Sequence, residues 1–185
     1  MWRVLVFLVL SSCLWAEEAH PILPLGSAAP NFELPGVDGK VHTLSEYSAS
    51  PILVVVFTCN HCPIAQMYER RIGQLAADYK SRGVALVAIQ PNDPKAIRID
   101  ELDSSDISDS LEEMKIRAEY KYLQYPYLYD GETQAVTRAY GPQATPHVVA
   151  VSGRPDTFRA SCVPVPGTGV AAAARCDLQL DITRG

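Results

Sequence analysis

The stretch of this sequence best suited to chemistry is Cys59-Asn60-His61-Cys62. Two thiols three residues apart can close a disulfide with each other. A continuous apolar run precedes them and a helical pattern follows, so they lie where a strand meets a helix that begins near residue 60. Free N–H groups and the positive dipole end of a helix stabilise an anion such as a thiolate. The pattern therefore predicts a redox-active pair with a lowered thiol pKa.

The two cysteines are expected to have different tasks. Cys59 is the outer residue and is expected to be the attacking thiol, while Cys62, one turn inward, resolves the mixed disulfide. His61 would favour the thiolate and make the pair more oxidising, with a solvated bystander as the alternative. Thr58 is a further candidate for substrate docking or for tuning the pair, and Pro63 suits a first helical turn.

Two other interpretations of the cysteine pair compete with redox chemistry. A structural zinc site would need a second pair, but Cys162 and Cys176 are 14 positions apart in an atypical tail. An inert structural disulfide is the other alternative. The strand–helix–strand context favours redox chemistry over both.

The elements around the pair form a βαβ unit. Residues 51–57 are apolar and largely β-branched, which predicts a strand buried on both faces. Residues 84–89 predict the neighbouring parallel strand. Between them a helix that ends at Gly83 is indicated by apolar residues at steps of three and four: Ile64, Tyr68, Ile72, Leu75 and Tyr79.

The rest of the chain up to residue 151 predicts shorter elements. Ser110, with Glu113 three residues later, predicts a capping box at a helix start. The elements are a hairpin of 31–34 and 41–43, a helical turn at 44–47, a helix over 110–122, a strand over 125–129, a helix over 133–140 and a strand over 148–151. With no repeat and no linker, the sequence predicts one domain over residues 22–151.

Residues 152–185 differ from the rest in composition. They contain neither Lys nor Tyr and show no amphipathic period. We expect a poorly ordered tail with no strand or packing helix. A frameshifted or truncated end that leaves the sheet edge open is the hypothesis for its origin.

Thr145-Pro146 is the second chemical signal. The proline directly precedes a predicted strand and lies 84 residues after Cys62. A cis X–Pro bond is a constrained and specific feature. We expect this bond to be cis and to lie beside the cysteine pair.

The first residues have the layout of a secretory signal. A positive start is followed by an apolar run over residues 4–10 that is too short to span a bilayer. Cleavage after Ala16 and a lipoprotein signal that ends before Cys13 both stay open. We expect export to a bacterial periplasm or cell envelope, with membrane attachment only if Cys13 is lipidated. In such a compartment thiols tend to be paired or redox-active.

The charge balance limits the partners. With 16 basic and 21 acidic side chains the net charge is -5, which argues against nucleic-acid binding. Residues 100–119 hold eight acidic and two basic side chains. A solvated loop and helix start is the simpler interpretation, and an acidic docking face is the alternative.

Taken together, these motifs resemble the redoxin branch of the thioredoxin-fold superfamily, the peroxiredoxin-like alkyl hydroperoxide reductase and thiol-specific antioxidant relatives. Three stretches carry the resemblance: 26–44, 54–63 and 127–147. It implies an α/β thioredoxin-like fold, with a central mixed sheet flanked by helices and an N-terminal hairpin extension. It also implies an oxidoreductase with antioxidant or redox activity and a site of Cys59, Cys62 and Pro146, beside which Thr145 offers backbone groups to an extended partner strand.

The function predicted is thiol–disulfide exchange between the Cys59–Cys62 couple and protein or small-molecule thiols and disulfides. An upstream redox protein would supply electrons, and no bound cofactor is expected. A thiol peroxidase acting on hydroperoxides is the first alternative, although the peroxiredoxin pattern P-x-x-x-[TS]-x-x-C fits neither cysteine. A copper carrier that uses Cys59, Cys62 and His147 is the second, because soft thiolates suit Cu(I).

Overall fold

The computed structural model describes residues 21–98, 108–153 and 159–160. The predicted signal segment, Cys13, Cys162 and Cys176 lie outside these residues. In chain order the elements are β1 (Glu33–Pro35), β2 (Val41–Thr43), a 3-10 turn (Leu44–Tyr47), β3 (Ile52–Phe57), α1 (Pro63–Lys80), β4 (Val84–Gln90), α2 (Leu111–Tyr120), β5 (Tyr127–Tyr129), α3 (Ala135–Tyr140), β6 (His147–Ser152) and β7 (Arg159–Ala160).

Five strands form one mixed sheet in the order β5-β4-β3-β6-β7. Strand β4 runs parallel to both β3 and β5, whereas β6 is antiparallel to β3. The βαβ unit and the mixed α/β sheet are therefore confirmed. None of the described helices is both long enough and apolar enough to span a bilayer.

The central strand β3 is buried on both faces because every second residue points to a different core. Leu53, Val55 and Phe57 pack into one cluster, together with the hairpin extension and α3. Val54 and Val56 pack into the other, towards α1 and α2. A strand held from both sides in this way is a rigid base for the residues that follow it.

The N-terminal extension covers one face of the sheet. β1 and β2 pair antiparallel as a separate hairpin, and its Leu34 is buried in the first core. The hairpin is tied to the sheet edge by Val37, whose N–H donates to the Tyr127 carbonyl at 3.0 Å. The predicted first strand is thus confirmed, displaced by about two residues.

The N-cap of α2 makes only one of the two hydrogen bonds of the predicted capping box. The Ser110 hydroxyl accepts from the Glu113 N–H at 3.3 Å, as expected for the N-cap. The Ser110 N–H, however, donates to the Ser108 hydroxyl at 3.4 Å rather than to Glu113. The nearer hydroxyl takes the bond that a capping box would give to the glutamate, so that part of the prediction is wrong.

One short strand lies beyond the expected end of the ordered domain. β7 pairs antiparallel with β6 at Val151↔Ala160 and Ser152↔Arg159, so the sheet edge is covered at these two positions. The prediction of no strand after residue 151 is wrong here, because a two-residue strand is too short to show an alternating pattern. The expectations of poor order and of a frameshifted end fall on residues that are mostly outside the described part.

Candidate redox site

The linker between β3 and α1 brings both cysteines to Thr145. The Cys59 Sγ lies 3.0 Å from the Thr145 Oγ1, and the Cys62 Sγ lies 3.7 Å from the Thr145 carbonyl oxygen. The Thr145–Pro146 peptide bond is cis. The expectation of a cis proline beside the cysteine pair is confirmed. More than 80 residues of sequence separate the cysteines from Thr145.

The helix begins later than the sequence indicated. Cys62 is the N-cap of α1 and Pro63 occupies its first turn, so the helix starts at residue 63 rather than near 60. The sulfur next to the helix N-terminus is therefore that of Cys62. Cys59 lies in the linker, three residues further from the helix.

Cys59 is buried, with 2% of its surface exposed. Burial raises the pKa of its thiol to about 12, and the nearby Asp109 carboxylate adds to the increase. The Thr145 hydroxyl and the Cys62 N–H favour the thiolate but do not outweigh these two effects. The expectation that Cys59 is the accessible, acidic sulfur is wrong in this arrangement of the dithiol.

Cys62, by contrast, is half-buried and opens onto a pocket of about 410 Å³. This Cys62 pocket lies between the loop after β4 and the loop before β6. Its walls mix polar and apolar groups, and the described residues that line it include no lysine or arginine; among them are His61, Asn92, Asp93, Gln134, Pro142 and Thr145. A partner molecule that enters the pocket reaches Cys62 before Cys59.

Asp109 is the residue that makes this site differ most from the one expected from the sequence, and its side chain is fully buried. Its Oδ1 accepts from the backbone N–H of Asn60 at 2.7 Å and of His61 at 3.2 Å. A carboxylate thus occupies the N–H groups that would otherwise stabilise a Cys59 thiolate. The interpretation of the acidic stretch as solvated is wrong for Asp109, and no sequence motif marked this residue as part of the site.

Asp109 also holds the imidazole of His61. The His61 Nδ1 lies 2.8 Å from Asp109 Oδ2, and the Asn92 amide nitrogen donates to the same oxygen at 2.7 Å. His61 is therefore not a solvated bystander, since only 18% of its side chain is exposed.

Asn60 fixes the linker from the other side. Its side chain donates to the Ser108 carbonyl at 2.8 Å and accepts from the Tyr127 hydroxyl at 3.2 Å. The Gln66 amide donates to its carbonyl at 2.7 Å. These bonds join the linker to α1, β5 and the segment before α2, and nothing in the local sequence pattern signalled them.

Two predicted site residues take other positions. Thr58 is 5% exposed and its hydroxyl is buried with no hydrogen-bond partner, so it does not lie on a docking surface. His147 pairs with Phe57 in the β3–β6 ladder, and burial lowers the pKa of its imidazole.

The arrangement does not assemble the predicted copper ligands. Among the described residues, the potential ligand atoms gathered within 4.8 Å of one another belong to Cys59, His61 and Asp109, and His147 is not in that group. The prediction that His147 joins the cysteines is therefore not met, because its pairing with Phe57 places it on the sheet face of the first core cluster. N–H donors already surround the Asp109 oxygens. These donors stabilise the negative carboxylate itself and oppose the binding of a metal cation beside it.

Comparison with known proteins identifies the family. The AhpC/TSA family model matches residues 25–168. The chain belongs to the AhpC/TSA family. It is accordingly a redoxin-type oxidoreductase, and its partners are of the thiol or redox-protein class. No curated protein gives a significant match.

Solved structures share the fold of this chain. An uncharacterized conserved protein from Geobacillus kaustophilus is 35% identical with a TM-score of 0.63, over 82% of this chain and 77% of that chain. A hypothetical protein from Sinorhizobium meliloti 1021 is 30% identical with a TM-score of 0.63, over 83% and 80%. A thiol-disulfide oxidoreductase from Bacteroides fragilis NCTC 9343 is 17% identical with a TM-score of 0.57, over 79% and 93%, and shows the shared thioredoxin-like fold.

Proposed function

We propose that the protein is a thiol–disulfide oxidoreductase of the Cys59–Cys62 couple, in which Cys62 meets the partner and Cys59 resolves. The observation that carries the proposal is the difference in access between the two sulfurs. Cys62 is half-buried and lines the pocket at the N-terminus of α1, whereas Cys59 is enclosed behind it. This order reverses the one expected from the sequence.

The surroundings of Cys62 suit exchange with an extended thiol or disulfide partner. The helix N-terminus stabilises negative charge on an adjoining sulfur. Thr145, whose carbonyl lies beside the Cys62 sulfur, forms the part of the pocket wall against which a partner backbone would lie. Protein or small-molecule thiols and disulfides are the proposed substrates, and another redox protein would restore the couple.

Export is a part of the proposal that rests on the sequence of residues 1–16. A secretory signal would place the couple in the bacterial periplasm or cell envelope, and lipidation of Cys13 would tether it there. The mass of the mature protein separates cleavage after Ala16, cleavage before a lipidated Cys13 and an uncleaved chain. An uncleaved chain in the cytoplasm would contradict this part alone.

A thiol peroxidase is the second candidate, and membership of the AhpC/TSA family favours it. In that reaction the Cys62 thiolate would attack a hydroperoxide, and Cys59 would close the disulfide on the resulting sulfenic acid. Against it, the part of the Cys62 pocket that the structure describes has no arginine or lysine to polarise the peroxide.

The experiment that tests the function mixes the reduced protein with either insulin or hydrogen peroxide and follows loss of the Cys59 and Cys62 thiols. The proposal expects insulin to oxidise the couple faster than an equal concentration of peroxide does. Faster consumption of peroxide would favour the peroxidase, and no reaction with either would reject both. A Cys59→Ser, Cys62→Ser double variant is the matched control.

A further inference from the structure

Asp109 and His61 form a hydrogen-bonded pair beside the pocket that Cys62 also lines. Asp109 is fully buried, His61 is bonded to it through Nδ1 at 2.8 Å, and both His61 and Cys62 line the pocket. The acid is brought to the histidine across 48 residues of sequence. A buried carboxylate, an imidazole bonded to it and a thiol that lines the same pocket as the imidazole are the parts of an acid–base relay.

Asp109 determines which nitrogen of His61 is available. A carboxylate can only accept, so the His61 Nδ1 carries the proton of their hydrogen bond. In the neutral ring the lone pair then resides on Nε2, the nitrogen turned away from Asp109. His61 and Cys62 line the same pocket, so a partner molecule bound there meets both side chains.

We propose that His61, oriented by Asp109, accepts and returns the proton during exchange at Cys62. The inference rests on the proposed function and adds a proton-transfer residue to it. In this scheme His61 is the catalytic residue, and Asp109 is a positioning residue that acts through it.

Reduction of a partner disulfide takes two successive exchanges. His61 Nε2 takes the Cys62 thiol proton, and the thiolate forms a bond to one partner sulfur as the partner S–S bond breaks. The departing partner sulfur takes the proton from His61. Cys59 then bonds to Cys62, the second partner sulfur leaves, and the Cys59 proton passes to it. The dithiol loses two electrons and the partner disulfide gains them.

Among the described residues, four titratable groups lie near His61: Asp109 from the segment before α2, Cys59 from the linker, Cys62 from the start of α1 and Asp93 from the loop after β4. Asp109 contacts the ring directly, so its replacement should alter the pH dependence of exchange most.

The test measures the rate at which the reduced protein exchanges with 2-hydroxyethyl disulfide, a neutral probe, from pH 5 to 9. The His61→Gly variant should be slower by about 10²-fold, the low end of the range for a positioned acid–base group. Free imidazole should restore the rate in proportion to its unprotonated concentration. Asp109→Asn should slow exchange and displace the pH profile, because an amide cannot fix the same tautomer.

His42→Ala is the matched control. That imidazole also lies between carboxylates, 3.1 Å from Asp38 and 3.0 Å from Glu46, but in the hairpin rather than the pocket. Its loss should leave the exchange rate unchanged.

Three results would overturn the inference while leaving the proposed function intact: exchange by His61→Gly at the wild-type rate, a slow His61→Gly that imidazole does not restore, or an Asp109→Asn pH profile identical to that of wild type. Absence of exchange in the wild-type protein would instead reject the proposed function itself.

Discussion

The reactivity of Cys59 is the most quantitative consequence of the site. Its pKa is raised to about 12, from the usual 9.0 of a thiol. At pH 8 the thiolate fraction is then about 10⁻⁴, compared with about 0.1 for an ordinary thiol, because each pKa unit changes it tenfold. Alkylation, which requires the thiolate, should be slower at Cys59 by about 10³-fold before restricted access is considered.

Replacing Asp109 with Asn tests the cause of this slow reaction. The carboxylate is the second largest contribution to the raised pKa, after burial. Asp109→Asn should therefore accelerate alkylation of Cys59 while leaving it slower than an ordinary thiol. The amide oxygen of the replacement can still accept from the backbone N–H groups, so the linker keeps that support.

The assay treats the reduced protein with iodoacetamide at pH 8 and follows each cysteine-containing peptide by mass spectrometry. The same chain in urea supplies the rate for each unprotected thiol. Alkylation of folded Cys59 within tenfold of its rate in urea would refute the reasoning on burial. An Asp109→Asn rate equal to that of wild type would refute the electrostatic part.

Further predictions concern stability, each measured by urea unfolding. Thr58→Val removes a buried hydroxyl that has no partner, and it should raise the free energy of unfolding by about 1–2 kcal/mol; a decrease would contradict this. Folding raises the pKa of Cys59, so the contribution of its neutral thiol to the free energy of unfolding is full below about pH 9 and should be lost as the pH rises to about 12. Equal free energies of unfolding at pH 8 and pH 11.5 would count against the burial of Cys59. Gly39→Ala should cost about 1–2 kcal/mol for its positive φ alone. Gly141→Ala should cost more, because its methyl group would also overlap the Pro21 carbonyl; an equal loss would rule out that contact.

The parts of the fold set by local pattern could be predicted from the sequence. Strands β3 and β4 match within one residue, because fully buried strands are continuous apolar runs. The two-residue β7 was not predicted, since it has no room for a pattern.

The residue types of the candidate site could be predicted better than their roles. The cysteine pair and Thr145–Pro146 carry recognisable spacing, and they do meet. Which sulfur adjoins the helix depends on where α1 starts, and a shift of three residues gives that place to Cys62 instead of Cys59.

Asp109 could not be recognised from its surroundings in the sequence. It belongs to a run of acidic residues whose other members give no sign that one of them is buried. Its bonds to Asn60 and His61 span 49 and 48 positions, so only the tertiary fold brings them together. Burial of the carboxylate is tolerable because N–H donors surround it.

The central claim is that Cys62, not Cys59, meets the substrate. The most direct measurement incubates the Cys59→Ser and Cys62→Ser variants with oxidised insulin and quantifies the protein captured as a mixed disulfide. The account predicts capture by Cys59→Ser, through its remaining Cys62, and little capture by Cys62→Ser. Preferential capture by Cys62→Ser would contradict it, and would return the attacking role to Cys59.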